Sequence, residues 1–365
     1  MTMPDRPLRR GWTTGACATA AAKAAYAALL TGEFPDPVTV TLPRGGRASF
    51  ALAQTRRDAD SASAGVIKDA GDDPDVTHGA LIVATVRAGA PGSGVTFRAG
   101  AGVGTVTRPG LAVPPGEPAI NPVPRRMICD AIAEVAALAS RAGDVEVEIA
   151  IPGGEELAAK TLNGRLGIVG GLSILGTTGI VVPYSCAAWI ASIQRGIDVA
   201  RAAGLVHIAG ATGASSEAAV RKLYDLPEIA LIDMGDFVGG MLKYVRAHPV
   251  PRVTIAGGVA KMTKLAQGLL DLHSKRGEVD LAALARLAEA AGGSAALRAR
   301  IMAANTAAEA FGCAQADGIG LGDAVAHAAQ AVAARVVEGK AIAIDTALFD
   351  RDGKLVGRAP QRGNL

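Results

Sequence analysis

The chain has 365 residues, of which 50% are hydrophobic and 19% charged, and this length predicts two folded domains. Lys and Arg together number 37 against 34 Asp and Glu, and the basic residues are scattered along the chain. Because the basic residues form no stripe and only 3% of the residues are aromatic, the composition argues against a nucleic-acid-binding protein.

The cysteines and histidines give no sign of a metal site. The four cysteines lie far apart and form no CxxC pair, and the five histidines are equally dispersed. This spacing does not match zinc or iron-sulfur motifs or a disulfide framework, so we expect reduced thiols and no protein-bound metal. No apolar stretch reaches the length of a membrane span without charges or glycines, and we therefore expect a cytoplasmic protein.

The first half of the chain has the pattern of a mixed sheet with helices. Residues 16–30 are alanine-rich and predict a soluble helix, whereas residues 38–53 alternate around a Pro-Arg-Gly-Gly turn, which is typical of a hairpin. Further strand patterns lie at 80–87, 94–98 and 145–151. Residues 124–140 open on proline and have helical spacing. We expect an α+β domain over residues 1–195.

Beyond about residue 200, apolar strands alternate with amphipathic helices across glycine or aspartate turns. Three such units lie at 205–224, 229–248 and 253–272. Continuous apolar strands are typical of a parallel sheet that is covered on both faces. Residues 280–339 then have a helical pattern, and residues 341–359 close as a hairpin. The sequence therefore predicts a Rossmann-like α/β domain with a parallel sheet over residues 196–365.

The turns after these strands are candidate ligand sites. Backbone amides at helix N-termini favour anions, and glycine lets a ligand approach the backbone closely. Asp233, which ends the second strand, stands where such folds place an acid on a ribose hydroxyl. No complete nucleotide fingerprint is present, so ordinary strand-to-helix turns are an equal alternative. The candidate residues are Gly210, Thr212, Gly213, Asp233, Gly257 and Gly258.

Two segments of the first half suit contact with an anionic ligand. Residues 110–128 contain five prolines ahead of Arg125 and Arg126, and paired arginines can bind carboxylates in a fork. A solvated helix end explains the arginines equally well. Residues 170–185 contain four glycines, at which backbone can lie against a ligand.

Residues 68–79, KDAGDDPDVTHG, place four aspartates between a lysine and a histidine. Three interpretations are open: a divalent-metal site, an acidic turn whose aspartates bind backbone amides, and an acid-base or cation-facing site. The spacing of an EF-hand is missing. Like charges at short range raise each other's pKa, so the aspartates need partners, for which Lys68 and His78 are candidates. The aspartates are Asp69, Asp72, Asp73 and Asp75.

Six segments in order along the chain resemble motifs of one family, the cobalt-precorrin-5B C1-methyltransferases (CbiD) of anaerobic cobalamin biosynthesis. They are GWTTGACATAAAKAA (11–25), KDAGDDPDVTHG (68–79), GLAVPPGEPAINPVPRRMI (110–128), GGLSILGTTGIVVPYS (170–185), MGDFVGGMLKY and IAGGVAKMTKLAQG. The resemblance implies methyl transfer from S-adenosylmethionine to ring carbon C1 of a tetrapyrrole that carries the cobalt, giving cobalt-precorrin-6A. GGVAK departs from the glycine-lysine pair of the family, which leaves the role of Lys261 open.

The resemblance also implies roles for particular residues. A polycarboxylate macrocycle calls for basic side chains, glycine amides and apolar walls. The substrate-binding residues are predicted to be Lys68, Asn121, Arg125, Arg126, Gly176, Thr177 and Thr178. Asp72 or Asp73, together with His78, is predicted to move protons as the ring rearranges, and contact with the sulfonium is the alternative. We expect the site in a cleft between the domains.

Two other functions stay open. A dinucleotide-dependent tetrapyrrole oxidoreductase is disfavoured by the incomplete glycine fingerprint. A non-catalytic tetrapyrrole carrier would bind the ring without donor-dependent turnover. The sequence does not decide the oligomeric state or whether neighbouring enzymes of the pathway make transient contact.

Overall fold

The computed structural model describes residues 7–360, which divide into two compact units. One unit ends at Ser185 and the other begins at Cys186, and each has its own hydrophobic core. The predicted domain boundary after residue 195 falls within a helix that runs from Cys186 to Ala202. No helix among residues 7–360 is both long and apolar enough to cross a membrane.

The first unit contains three helices and a series of short strands among its described residues. The helices are α1 (Thr14–Thr31), α2 (Pro122–Leu138) and α3 (Gly154–Ala158). The strands are β1 (Gly11–Trp12), β2 (Val38–Thr41), β3 (Arg47–Phe50), β4 (Gln54–Arg57), β5 (Ser61–Ile67), β6 (Leu81–Ala88), β7 (Val95–Ala99), β8 (Gly102–Val103), β9 (Thr105–Val106), β10 (Val145–Ala150), β11 (Ile168–Val169), β12 (Gly171–Leu172) and β13 (Ile180–Val181).

The main sheet of this unit has five strands in the order β4-β5-β6-β10-β7. Its neighbours pair antiparallel, except that β10 and β7 are parallel, so the predicted mixed sheet is confirmed. The hairpin predicted at 38–53 forms as β2 and β3. Strands β4 and β5 were not predicted, because β4 is exposed along its whole length and β5 is built largely from small residues.

Helix α1 is the centre of the first core. It packs on β5, β6 and α2, and its alanines let the backbones approach closely. The Thr13 side chain accepts a hydrogen bond from the Ala16 amide at the N-terminus, and Gly32 ends the helix in the left-handed conformation. The single lysine of the helix, Lys23, donates to the Thr39 carbonyl (2.8 Å) and to Glu134 (2.7 Å), so its charge is compensated.

The second unit alternates strands with helices and then becomes helical. Its helices are α4 (Cys186–Ala202), α5 (Ala214–Tyr224), α6 (Val238–Ala247), α7 (Val259–Ala266), α8 (Leu281–Ala290), α9 (Ala295–Ala303), α10 (Ala307–Ala316) and α11 (Leu321–Val336), with short 3-10 turns at Glu228–Ala230 and Ser274–Arg276. Its strands are β14 (His207–Ala211), β15 (Leu231–Asp233), β16 (Arg252–Gly258), β17 (Ala343–Phe349) and β18 (Leu355–Ala359).

These strands form one sheet in the order β15-β14-β16-β17-β18. The first four strands are mutually parallel, and β18 returns antiparallel at the edge. Successive residues face opposite sides, so that Ile208 and Val253 join the large core while Ala209 and Ala256 join a smaller one. The sheet is therefore covered on both faces, and the order of the strands reverses between β14 and β16.

A polar cluster lies where β14, β16 and β17 begin. Arg252 Nε donates to Asp345 (2.7 Å), which is fully buried, and the guanidinium stacks 4.9 Å above the Tyr224 ring. His207 Nε2 shares a 2.8 Å hydrogen bond with Thr254. Burial, and then the charge of Arg252, lower the pKa of His207 to about 4. The fold therefore accommodates this imidazole in its neutral form.

We expect the stability of the second unit to fall as the pH drops from about 6.5, the ordinary pKa of histidine, toward about 4. In this window His207 binds a proton in the unfolded chain but not in the folded one, so acid favours unfolding. Urea titrations at a series of pH values should show a shallower loss of unfolding free energy for His207→Gln than for the wild type. Equal slopes would show that His207 is not the group responsible.

Candidate functional site

The short strand β1 joins the motifs of the first unit. It pairs with β13, and Arg10 next to it bridges Gly71. A Cβ atom on Gly11 would lie 2.0 Å from the carbonyl carbon of Ala70, so only glycine permits this backbone contact. Segments of three motifs meet around this strand, at 9–15, 69–73 and 175–181.

The loop after residue 174 is bound to the first turn of α1. Thr14 Oγ1 accepts from the Leu175 amide (2.9 Å) and the Gly15 amide donates to the Leu175 carbonyl (3.0 Å). Gly176 has a φ of +135°, and a Cβ there would lie 2.4 Å from Thr13 Oγ1. Packing against the chain itself therefore explains this glycine without a ligand, and the predicted ligand contact at Gly176 stays a prediction.

Other predicted residues of this loop differ in their accessibility. Thr177 is exposed, whereas Thr178 is half-buried and its hydroxyl donates to the Ile180 carbonyl (3.1 Å). Asn121 is half-buried, and its backbone amide donates to the Ile174 carbonyl (2.9 Å), so α2 begins beside the loop. The structure thus brings Asn121 and the loop 174–178 together, and Thr177 is the more accessible of the two threonines.

The aspartates of residues 68–79 bind groups of their own chain. Asp69 accepts from the Arg9 guanidinium with both oxygens and from the Gly71 amide (2.9 Å). Its hydrogen bonds with Arg9 and then Gly71 lower the pKa of Asp69 to about 2. Asp72 accepts from the Arg9 amide (2.6 Å) and Asp73 from the Tyr184 amide (2.8 Å). This geometry matches the interpretation of an acidic turn that binds amides.

The same turn shows no arrangement for a metal ion. Throughout residues 7–360, no group of three or more His, Cys, Asp or Glu side chains is placed to hold one. Lys68 is 1% exposed and its ammonium donates to Asp75 (2.7 Å), which also accepts from the Thr77 hydroxyl (2.6 Å). The predicted substrate contact at Lys68 does not fit this burial, because the side chain is directed into the unit and already paired.

His78 lies at the surface of the turn with one ring nitrogen occupied. Its Nδ1 accepts from the Ala70 amide (3.1 Å), and half of the side chain is exposed. An imidazole that accepts at Nδ1 carries its proton on Nε2 in the neutral state. His78 can therefore present an N–H group to a ligand, while Asp72 and Asp73 each keep a second carboxylate oxygen beyond the one bound to an amide.

The two arginines at the start of α2 have different surroundings. Arg125 donates to the carbonyls of Ile120 (2.8 Å) and Pro118 (3.0 Å) and to Glu117 (3.1 Å), so it fixes the preceding loop. Arg126 is exposed, and its guanidinium makes no hydrogen bond or ion pair with any other residue that the structure describes. Of the predicted pair, Arg126 is therefore the one whose guanidinium is available to a ligand.

In the second unit, the predicted glycines fall into two groups at the carboxyl ends of the parallel strands. A Cβ on Gly210 would meet the Met241 sulfur at 2.3 Å, and one on Gly257 would meet Thr212 at 2.9 Å, so both glycines pack closely against side chains of their own unit. Gly213 and Gly258 have nothing within 4 Å of such an atom. Only these two leave their backbone open to a ligand.

Two charged residues at the same edge, Lys261 and Asp236, were not among the predicted site residues. Lys261 Nζ donates to the Thr212 carbonyl (2.8 Å) and lies 3.1 Å from Asp236 Oδ1. Asp233, the predicted acid, is half-buried, and its carbonyl accepts from the Trp189 indole (3.2 Å). The signal for Lys261 in the sequence is a lysine in the first turn of a helix that follows a pair of glycines.

A cavity of about 610 Å³ lies beside this edge within the second unit. Its walls come from α4, α6 and residues 270–276, and include Phe237, Lys243 and Arg276. None of the six predicted donor-binding residues lines it. The cavity and the strand ends are therefore distinct surfaces that adjoin at the turn before α6.

Comparison with known proteins assigns the family. The CbiD family model matches residues 1–183, and the model of the CbiD C-terminal domain matches residues 271–360. The chain therefore belongs to the CbiD family, and the resemblance read from the sequence is confirmed.

The relatives carry one name, cobalt-precorrin-5B C(1)-methyltransferase. That of Bradyrhizobium sp. (strain BTAi1 / ATCC BAA-1182) is 66% identical over 97% of this chain and 94% of its own. That of Agrobacterium fabrum is 65% identical over 98% and 94%. A crystal structure described as the cobalamin biosynthesis protein CbiD of Archaeoglobus fulgidus is 30% identical, with a TM-score of 0.41 over 74% of this chain and 83% of that one.

Proposed function

We propose that the chain is a cytoplasmic methyltransferase that transfers a methyl group from S-adenosylmethionine to C1 of cobalt-precorrin-5B, giving cobalt-precorrin-6A. The observation that carries the proposal is 56–66% identity to relatives of that name over at least 96% of the chain.

The chemistry places modest demands on the protein. The sulfonium donor already carries an activated methyl group, so the enzyme must mainly hold the methyl in line with the attacking ring carbon. The new C–C bond forms as the C–S bond breaks, and the electron pair stays on sulfur as neutral S-adenosylhomocysteine. A nucleophilic side chain is not required, which agrees with the absence of a Ser-His-Asp or Cys-His pattern in the sequence.

We assign the donor to the carboxyl edge of the parallel sheet, in a Rossmann-like second unit. In open sheets of this kind, ligands bind outside the carboxyl ends of the strands where the strand order reverses, here between β14 and β16. Gly213 and Gly258 leave the backbone open at this point, and Asp233 offers an acid to a ribose hydroxyl. Gly210, Thr212 and Gly257 support the turns by packing on their own chain.

We assign the macrocycle to the surface of the first unit around the loop 174–184. Three exposed apolar side chains of this loop, those of Leu175 (43%), Val182 (48%) and Tyr184 (67%), suit a flat ring. Arg126 and Thr177 offer polar contacts to the carboxylates at the rim. Arg125 contributes by fixing the loop before α2, and Lys68 by neutralising the acidic turn.

Proton movement is assigned to the acidic turn. Asp72 and Asp73 are each anchored by one amide and retain a second oxygen, and His78 presents Nε2. This anchoring leaves the groups fixed while a proton is exchanged, which is what acid-base catalysis needs. The hydrogen bonds that the two aspartates accept from backbone amides are therefore compatible with a catalytic role.

The direct test is an assay with purified protein, S-adenosylmethionine carrying a deuterated methyl group, and cobalt-precorrin-5B. We expect mass spectrometry to detect a product heavier by one deuterated methyl group, together with S-adenosylhomocysteine in equal amount. Ring binding without product would indicate a tetrapyrrole carrier. Turnover that requires NADPH and no methyl donor would indicate an oxidoreductase, and either result would refute the proposal.

The double variant Asp72→Asn/Asp73→Asn should lower turnover about 100-fold, because asparagine cannot carry the proton. Its thermal melt should stay close to that of the wild type, since each amide oxygen still accepts the hydrogen bond now made by the carboxylate. The matched structural control is Asp75→Asn, which leaves Lys68 buried without a counter-charge and should cost about 3 kcal/mol of stability. A collapsed melt in the double variant, or full activity, would remove these aspartates from the mechanism.

Arg126→Ala should raise the Michaelis constant for the tetrapyrrole about fivefold, since it removes an available guanidinium, while stability stays unchanged. Arg125→Ala should instead lower the melting temperature, because two carbonyls and Glu117 lose their donor. Steady-state kinetics and thermal melts of both variants separate the two roles. An unchanged Michaelis constant for Arg126→Ala would show that this residue does not bind the tetrapyrrole.

A further inference from the structure

Lys261 connects the turns at the carboxyl edge of the parallel sheet. Its ammonium donates to the carbonyl of Thr212, which follows β14, and pairs with Asp236, which follows β15. Lys261 itself lies in the first turn of α7, directly after β16. A single side chain therefore links the ends of three neighbouring strands.

The position of this lysine is unfavourable for helix stability. The N-terminus of a helix carries a partial positive charge, so acidic residues stabilise the first turn and a lysine destabilises it. Helix α7 has no acidic residue in its first turn. The hydrogen bond to Thr212 and the ion pair with Asp236 offset part of this cost. A residue that opposes the local preference of its helix is typical of a functional position.

The pair of Lys261 and Asp236 is incompletely satisfied. Asp236 Oδ1 is buried and, among the described residues, accepts no hydrogen bond of good geometry; Lys261 Nζ lies 3.1 Å away as an ion pair. An ammonium has three N–H donors, and the Thr212 carbonyl takes one of them. The Lys261 side chain is 38% exposed, so its charge can be reached from outside. The Asp236 side chain is 22% exposed, so a cation and an anion lie together at the edge of the sheet.

We infer that Lys261 and Asp236 bind the amino-acid end of the methyl donor, an inference that rests on the proposed function. That end of the donor is a zwitterion in which a carboxylate and an ammonium group share one carbon atom. Lys261 binds the carboxylate and Asp236 the ammonium group, each by a charge-assisted hydrogen bond. The adenosine part then extends along the open turns at Gly213 and Gly258, toward which Asp233 supplies its acid.

The test compares two ligands that differ only in the proposed contact region. S-adenosylhomocysteine carries the zwitterionic end, whereas 5′-methylthioadenosine lacks it and keeps the adenosine and the sulfur. Isothermal titration of the full chain with both ligands should show that Lys261→Met weakens S-adenosylhomocysteine about tenfold or more and leaves 5′-methylthioadenosine unchanged. Lys261→Arg should retain most of the affinity, and Asp236→Asn should repeat the selective loss.

The matched control is Lys243→Met, which removes one positive charge from the wall of the cavity between α4 and α6, a cavity that none of the candidate residues at the strand ends lines. We expect this variant to bind both ligands as the wild type does. A loss of S-adenosylhomocysteine affinity in Lys243→Met, with none in Lys261→Met, would place the donor in the cavity and overturn the inference.

Other outcomes separate the inference from the function on which it rests. An equal loss for both ligands in Lys261→Met would mean that the lysine only supports the turns, and unchanged affinities would mean that it does not contact the donor. If Lys261→Met gives either of these results while the wild type methylates its substrate, only the inference fails. If the wild type binds neither ligand, the assignment of the donor to this edge fails as well.

Discussion

The arrangement of the first unit depends on the backbone contact between Gly11 and Ala70. Because position 11 has no side chain, β1 can lie directly on the acidic turn while its other edge pairs with β13. Arg9 then reaches Asp69 and Asp72, and the loop at Leu175 docks on the first turn of α1. Segments that are far apart in sequence thereby form one surface, and the charge of the aspartates serves first to hold it together.

In the second unit, distant segments are linked by a side chain, that of Lys261. We propose that the turns at the ends of the unit's parallel strands bind the methyl donor, and turns that are open to a ligand have few contacts of their own. Packing at Gly210 and Gly257 and the reach of Lys261 keep these turns in place. The residues that hold the turns are therefore largely different from Gly213 and Gly258, which leave them accessible.

The sequence predicts regular elements well because their signals are local. The strand-and-helix units of the second half and the hairpins at 38–53 and 341–359 are found where periodicity places them. Strand β5 was missed because its small residues lack the usual β-branched alternation. The roles of side chains depend on partners distant in the chain: only the fold shows that Arg125 is occupied and Arg126 available, that Lys68 is buried, or that Asp73 binds Tyr184.

The most direct measurement of the two assigned surfaces is hydrogen exchange of the full chain, with S-adenosylhomocysteine and with the tetrapyrrole product added separately. The account predicts that S-adenosylhomocysteine protects amides at 210–213, 234–236 and 257–261, and that the tetrapyrrole protects amides at 119–126 and 174–184. Protection by S-adenosylhomocysteine confined to 186–194 and 239–247, or by the tetrapyrrole outside the loop 174–184, would contradict it.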